Sequence, residues 1–316
     1  MRRLLVRIAL VLIAVVAVAA IYAYQKVVSL DVEKVTDDVH VLYGLGGNVG
    51  VLATERGAVI VDSMTFRMQG AEIREAAEKL GRGPTQAIIN THYHRDHTHG
   101  NPAFASGTTV WSTQRTRDYL LKFDAPYWEG DAAGTLPNKT FDDGIHELSV
   151  GGKTIRLEHL GRGHTGGDLV VLFVEDRVLH TGDLFFNGRY PNIDLEAGGS
   201  VREWDATLDR VLALDFDRVI PGHGPVTDRE GLRAFQRFLR ELWSLAERGA
   251  REGKTLAETQ ALPGLTADAG YQSIGVPFVF KLDRNFAIRR AWEEATGAVK
   301  PAQVPVRPVE SNRRSS

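Results

Sequence analysis

Cysteine is absent from the 316-residue chain. Its absence removes disulfides, thiolate metal ligands and a cysteine nucleophile. It leaves the compartment open, because a cysteine-free chain survives in any redox environment. An excess of one charge is lacking as well: 38 Lys and Arg stand against 40 Asp and Glu, for a formal net charge of -2. The composition therefore offers no electrostatic footprint for nucleic acid, and no such partner is expected. Internal repeats of fixed period are missing too. What remains is ordinary for a packed domain, since 43% hydrophobic and 25% charged residues allow a sizeable core and argue against global disorder.

The location signal sits at the N-terminus. Arg2, Arg3 and Arg7 precede an apolar run over 8–24 that meets no charge until Lys26. The run is at the lower length limit for a helix crossing a ~30 Å hydrocarbon core. It also has the basic start, apolar centre and small-residue Ala17-Val18-Ala19 site of a signal peptide. Apolar residues continue past that site through Ile21 and Tyr22, which favours an uncleaved membrane anchor over 1–26. A buried soluble helix is the remaining alternative. With the arginines held in the cytoplasm, both export readings put the following domain outside it. No cysteine follows the run, so a lipid anchor on Cys is excluded.

From residue 35 the pattern changes to short β-rich runs broken by glycine. Strands are expected over 40–43, 49–53, 58–61, 87–90, 109–111, 154–157, 169–174, 177–180 and 218–220. Helices are expected over 71–80, 116–122, 201–214 and 232–251, the last with Phe235, Leu239, Leu242 and Leu245 on one face. Residues 123–141 read as a loop. Strands alternating with helices in two similar halves predict an α/β layered domain over 30–297. The Pro-, Arg- and Ser-rich 298–316 reads as a disordered tail.

Four of the ten histidines, His92, His94, His97 and His99, fall in the run Thr91-His92-Tyr93-His94-Arg95-Asp96-His97-Thr98-His99, directly after the apolar strand 87–90. Polar, metal-competent groups at the C-terminal end of a strand are where an α/β fold places its site. His92 and His94, two apart in extended chain, point to one side, and Asp96 and His97 follow where the chain turns. One metal could take the first pair and a second metal the other. Imidazole and carboxylate suit zinc without sulfur.

This H-x-H-x-D-H run resembles that of the metallo-β-lactamase superfamily, and three further motifs follow in family order: Gly163-His164-Thr165-Gly166-Gly167-Asp168, Thr181-Gly182-Asp183-Leu184 and Pro221-Gly222-His223-Gly224. The match covers about 35–228. The resemblance implies a four-layer αβ/βα sandwich with C-terminal helices and a site for two zinc ions, with iron or manganese possible in their place. By the same resemblance His92, His94 and His164 hold the first metal, Asp96, His97 and His223 the second, and Asp183 bridges them. Two such ions draw a hydroxide nucleophile from water near neutral pH, and Asp96 could shuttle a proton as well as bind metal. Asp62 matches a family aspartate that supports the metal loop, with an ordinary turn aspartate as the alternative. His99 has no slot in the motif and is expected at the surface or behind a ligand. His40, His146, His159 and His180 are expected to be packed or solvent-facing.

The missing cysteine excludes the lactamases that use a Cys ligand. Gly182-Asp183 resembles the glyoxalase II arrangement of thioesterases, which lactonases share. The implied function is hydrolysis of a thioester, lactone, amide or related acyl bond in a small molecule. A β-lactamase and a non-catalytic metal-binding accessory protein are the alternatives. Lys281, Arg284, Arg289 and Arg290 occupy the C-terminal region where glyoxalase II recognises glutathione, without a matching motif. Met64, Phe66, Phe123, Tyr127, Trp128, Phe186 and Tyr190 are candidates to line an apolar cleft, with half of them expected in the core. The sequence sets no oligomeric state.

Overall fold

A computed structural model describes residues 2–142, 144–276 and 279–302. It opens with α1 (Arg2–Val28), whose stretch Leu10–Val28 has a mean hydropathy of 2.1 and is nowhere buried. The buried-helix alternative therefore does not hold. From residue 303 onward the expected disordered tail lies outside the described residues.

The first sheet contains seven strands in chain order: β1 (Asp31–Lys34), β2 (Val39–Tyr43), β3 (Val49–Thr54), β4 (Gly57–Val61), β5 (Thr85–Ile89), β6 (Val110–Thr113) and β7 (Lys139–Phe141). Tight turns make β1 to β4 antiparallel. From β4 to β7 the strands run parallel, with α2 (Arg67–Leu80), the single turn α3 (Arg95–Thr98) and α4 (Gln114–Phe123) in the crossovers. All five residues of β4, Gly-Ala-Val-Ile-Val, are buried, as expected of a strand covered on both faces.

The second sheet has the order β12-β11-β10-β9-β8, from β8 (Gly144–Val150), β9 (Lys153–His159), β10 (Val170–Phe173), β11 (Val178–His180) and β12 (Arg218–Ile220). Among the described residues of this sheet only β11 and β12 pair in parallel, through the crossover α5 (Val201–Leu212).

Three apolar clusters define the layers. Val39, Leu52, Val59 and Ile89 of the first sheet meet Leu157, Val171, Phe173 and Ile220 of the second. Outside the first sheet, Ile73 and Ala77 of α2 cover Val51, Ile60 and Ile88. Outside the second lie α5, α6 (Arg229–Arg251) and α8 (Arg284–Thr296), burying Trp204, Leu208, Phe235, Leu239 and Ile288. The result is the expected four-layer αβ/βα sandwich with C-terminal helices. The predicted stripe of α6 is buried throughout. Side-chain caps start the helices of this layer: Ser200 accepts from Glu203 N, Asp228 from Glu230 N and Gly231 N, and Asp283 from Phe286 N.

The expected loop 123–141 is more ordered than predicted. It contains 3-10 turns at Ala125–Trp128 and Gly130–Thr135 and ends in β7. A short helix α7 (Leu256–Gln260) and a hairpin of β13 (Ile274–Val276) and β14 (Phe280–Leu282) complete the C-terminal region.

Candidate metal centre

All seven motif residues come from segments that follow strands, gathered at one end of the sandwich. His92, His94, Asp96 and His97 follow β5, with His94 capping the single helical turn Arg95–Thr98. His164 sits between β9 and β10. Asp183 lies in a 3-10 turn (Gly182–Leu184) directly after β11, and His223 follows β12.

The donor atoms converge in two groups. In the first, His94 Nδ1 lies 3.1 Å from His92 Nε2 and 2.8 Å from His164 Nε2. Asp183 Oδ2 is 3.8 Å and 3.5 Å from those same two nitrogens. In the second, Asp96 Oδ2 is 3.7 Å from His97 Nε2 and 3.2 Å from His223 Nε2. Asp183 Oδ1 stands 3.2 Å and 3.5 Å from these two nitrogens. Donors set tetrahedrally around a zinc-sized cation at about 2.1 Å would be about 3.4 Å apart. One carboxylate thus turns an oxygen to each group.

The other ring nitrogens fix the tautomers. His164 Nδ1 faces Asn192 O at 2.8 Å; a carbonyl only accepts, so this nitrogen carries the proton. His97 Nδ1 lies 2.7 Å from Asp62 Oδ2, and His94 Nε2 lies 2.9 Å from Asp194 Oδ2. His92 Nδ1 is 3.0 Å from Thr91 Oγ1. In the neutral rings of His94, His97 and His164, the nitrogens facing inward are then lone pairs, pointing at one another and at Asp183. His97 Nε2 and Asp183 Oδ1 are buried and lack hydrogen-bond partners. Lone pairs converging in a buried space call for a cation, so the donor set fits divalent metal.

The electrostatics agree. Burial pushes the His92 imidazole well down and His164 to about 4, keeping both neutral as ligands must be. Burial would raise the Asp183 carboxyl, but the imidazoles of His223, His97, His164 and His92 hold it well below the usual range. Burial also opposes charge on His97 and His223, yet the carboxylates of Asp183 and Asp96 lift both, His223 to about 9. In the metal-free chain protons occupy the second group, and metal binding must displace them.

Asp62 is not an ordinary turn residue. Fully buried at φ 67, its carboxylate accepts from Thr91 N at 2.8 Å and Thr91 Oγ1 at 2.7 Å, besides holding His97. Such partners orient a ligand and tune its basicity. His99 lies behind the site, with Nε2 2.5 Å from Asp124 Oδ2 and its ring stacked on Tyr127 at 3.5 Å. His180 is buried beneath Gly50 and accepts from Gly182 N at Nδ1. Asp194, Asn192 and Asn48 were not foreseen. Asn48 Nδ2 donates to Pro221 O and Gly224 O, pinning the loop of His223.

Two glycines leave room for the ligands. A Cβ on Gly47 would stand 2.2 Å from His97 Cε1, and one on Gly222 would stand 2.0 Å from Asp183 Oδ1. Gly222→Ala is therefore expected to cost about 3 kcal/mol by overpacking and to reduce the rise in Tm expected on adding zinc. Thermal unfolding with and without zinc measures both; an undiminished zinc effect would place the cation away from Asp183.

The centre forms the floor of a cleft of about 1200 Å³. His94, Asp96, Asp183 and His223 face it, while Leu45, Phe66, Phe123, Phe186, Ile274 and Phe280 supply apolar wall. Of the expected lining residues, Phe66, Phe123 and Phe186 are there. Met64 and Trp128 are buried instead, and Tyr190 packs against Phe238 and Tyr271 with its hydroxyl on Asp268. Tyr127 spends its ring on His99. The C-terminal cations hold structure together rather than line the cleft: Arg284 binds Asp268, Arg290 binds Glu196 and Glu293, Lys281 binds Asp283, and Arg289 lies over Phe286.

Fold and site are those of a four-layer αβ/βα sandwich with a His/Asp cluster able to hold metal. The family profile of the metallo-beta-lactamase superfamily matches residues 42–223, and the chain belongs to that superfamily. It is 29% identical over 182 residues to the metallo-beta-lactamase type 2 of Bacillus sp. (strain 170), covering 57% of this chain and 67% of that protein. It is 25% identical over 235 residues to the linear primary-alkylsulfatase of Pseudomonas sp. (strain ATCC 19151), covering 60% and 44%. Among solved structures, a metallo-beta-lactamase from Pontibacter korlensis superimposes with a TM-score of 0.59 at 22% identity, covering 67% of this chain and 99% of the other. The sec-alkyl sulfatase PisA1 gives 0.67 at 17% identity, covering 85% and 50%.

Proposed function

We propose that this chain is an exported, dinuclear zinc hydrolase that cleaves a thioester, lactone, amide or related acyl bond in a small molecule. The observation that carries the reading is the placement of Asp183, with one oxygen on each of two histidine-rich groups. His92, His94, His164 and Asp183 would hold one cation, and Asp96, His97, His223 and Asp183 the other. When bound, such a pair polarises the bond to be cut and supplies a water-derived nucleophile near neutral pH. The chain's own residues do the rest. Asp62 and Asp194 hold the imidazoles in their ligating tautomers. Asp96, whose side chain is 36% exposed against 15% for His223, is the most open of the ligands facing the cleft and the one placed to pass a proton. A floor reachable from solvent supports an enzyme over a non-catalytic accessory protein.

Resemblance to the Bacillus lactamase favours β-lactams as the second substrate reading. The test is turnover by zinc-loaded full-length protein of a chromogenic cephalosporin, an acyl thioester and a lactone. A kcat/KM on the order of 10⁴ M⁻¹s⁻¹ or more on the cephalosporin makes it a β-lactamase. That rate on a thioester or lactone supports the acyl reading, and none on any of them removes it.

For export, α1 provides one apolar segment behind three arginines. Residues 1–26 are expected to remain on the mature chain, with the protein resisting carbonate extraction from membranes. Mass spectrometry of the membrane fraction checks this; a mature chain starting near residue 20 would make the segment a signal peptide.

A further inference from the structure

The exposed apolar side chains are unevenly placed. Among the described residues outside α1, eleven large hydrophobics are exposed, and five of them, Leu45, Phe66, Phe123, Val276 and Phe280, line the cleft. Exposed apolar groups gathered in one place mark a surface that meets something apolar.

The chain itself says what lies beside that surface. Only Ser29 and Leu30 separate α1 from β1, and Ser29 N still donates to Gln25 O, so the link is short and partly helical. Leu30 packs beneath the first sheet, its Cδ2 3.1 Å from where a Gly44 Cβ would stand. Gly44 and Leu45 belong to the cleft wall, as does Glu33 of β1. α1 also approaches α2, whose N-cap is Phe66. The point where α1 joins the domain and the mouth of the cleft therefore share one side of the molecule. With arginines 2, 3 and 7 inside, that side faces the outer leaflet of the membrane.

We infer that the apolar rim rests on the bilayer that α1 crosses, and that the cleft takes an amphiphile drawn from it. The substrate's polar head reaches the metal floor while its apolar chain lies along Leu45, Phe66 and Phe280 toward the lipid. The inference rests on the hydrolase and anchor readings above and adds the substrate class. Side chains of this kind bind the headgroup–acyl boundary, and the metal donors His94, Asp96, Asp183 and His223 line the same cleft.

The absence of native cysteine gives a direct test, because a single introduced thiol takes one label. Full-length Phe280→Cys and Phe66→Cys proteins, carrying an environment-sensitive fluorophore, are placed in phosphatidylcholine nanodiscs with doxyl-labelled lipid. A Glu55→Cys control sits in the β3–β4 turn, at the opposite end of β4 from the site. Strong quenching at residues 66 and 280 with little at 55 is expected. Equal quenching at all three positions overturns the docking.

The zinc-loaded full chain is then given p-nitrophenyl esters from acetate to decanoate. Each buried methylene is worth up to about fourfold, so kcat/KM should climb with chain length, and Phe66→Ser with Phe280→Ser should lower the decanoate-to-acetate ratio about tenfold. A flat profile overturns the amphiphile. No turnover of any ester overturns the acyl-hydrolase reading instead, while the quenching still reports on the rim.

Discussion

Asp183→Ala is expected to fold, to hold less than half the metal of the native chain and to lose turnover by about 10³-fold. The carboxylate supplies one oxygen to each donor group, at 3.2 to 3.8 Å from His97, His223, His164 and His92. Its removal leaves both groups one ligand short and takes away a negative charge that neither cation can replace from solvent, since the side chain is 4% exposed. Several kcal/mol of electrostatic stabilisation is the usual contribution of a metal to the reacting charge, and each 1.4 kcal/mol is about tenfold in rate. The isosteric Asp183→Asn separates folding from binding. It keeps one oxygen donor and the volume, so it should retain one cation of two. Metal content by mass spectrometry, circular dichroism and turnover decide the matter, and an Asp183→Ala protein with native metal content and rate would sink the dinuclear assignment.

What the sequence reveals and conceals follows from how far apart the interacting residues lie. His92, His94, Asp96 and His97 were legible because their chemistry is packed into six consecutive positions after a buried strand. His164, Asp183 and His223 became legible only through the resemblance, since nothing in their own spacing brings them to residue 92. The strands of the first sheet were readable where both faces are apolar, as in β3 and β4. β8, with the sequence Gly-Ile-His-Glu-Leu-Ser-Val, was missed because it is an edge strand in which no residue is fully buried. Asp194 could not be found in advance, as its links to the site, side-chain bonds to Tyr93 and His94 about 100 residues away and a backbone bond to His164, follow from no local spacing. The cleft wall was half legible for a related reason. Aromatic residues near the motifs go to the core or the cleft according to loop paths, and the hairpin that supplies Ile274 and Phe280 has no sequence signal tying it to the metal floor.

The second large effect falls on a residue that touches no metal. Asp62→Asn should leave the metal-free fold nearly as stable as the native one, while weakening the second cation by about 100-fold. The backbone tolerates the change, because asparagine accepts the left-handed φ of 67 found at this position. The hydrogen bonds do not. Thr91 N is a fixed donor 2.8 Å from Asp62 Oδ1, so the asparagine must keep its oxygen there. Its amide nitrogen then occupies the place of Oδ2, facing Thr91 Oγ1 and His97 Nδ1. The hydroxyl can turn to accept. The imidazole must also become an acceptor at Nδ1, which moves its proton to Nε2, the atom 3.2 Å from Asp183 Oδ1 that should ligate the cation. A proton on that nitrogen fills the lone pair the metal needs, and loss of such a supporting carboxylate typically costs 10- to 100-fold in metal affinity. Nitrogen-15 spectra recorded where the His97 ring is neutral should show it switching from the Nδ1-H to the Nε2-H form in the variant, with zinc titration saturating one site before the other. Two cations bound as tightly as in the native chain, or an unchanged His97 tautomer, would show that Asp62 fills space rather than setting the ligand.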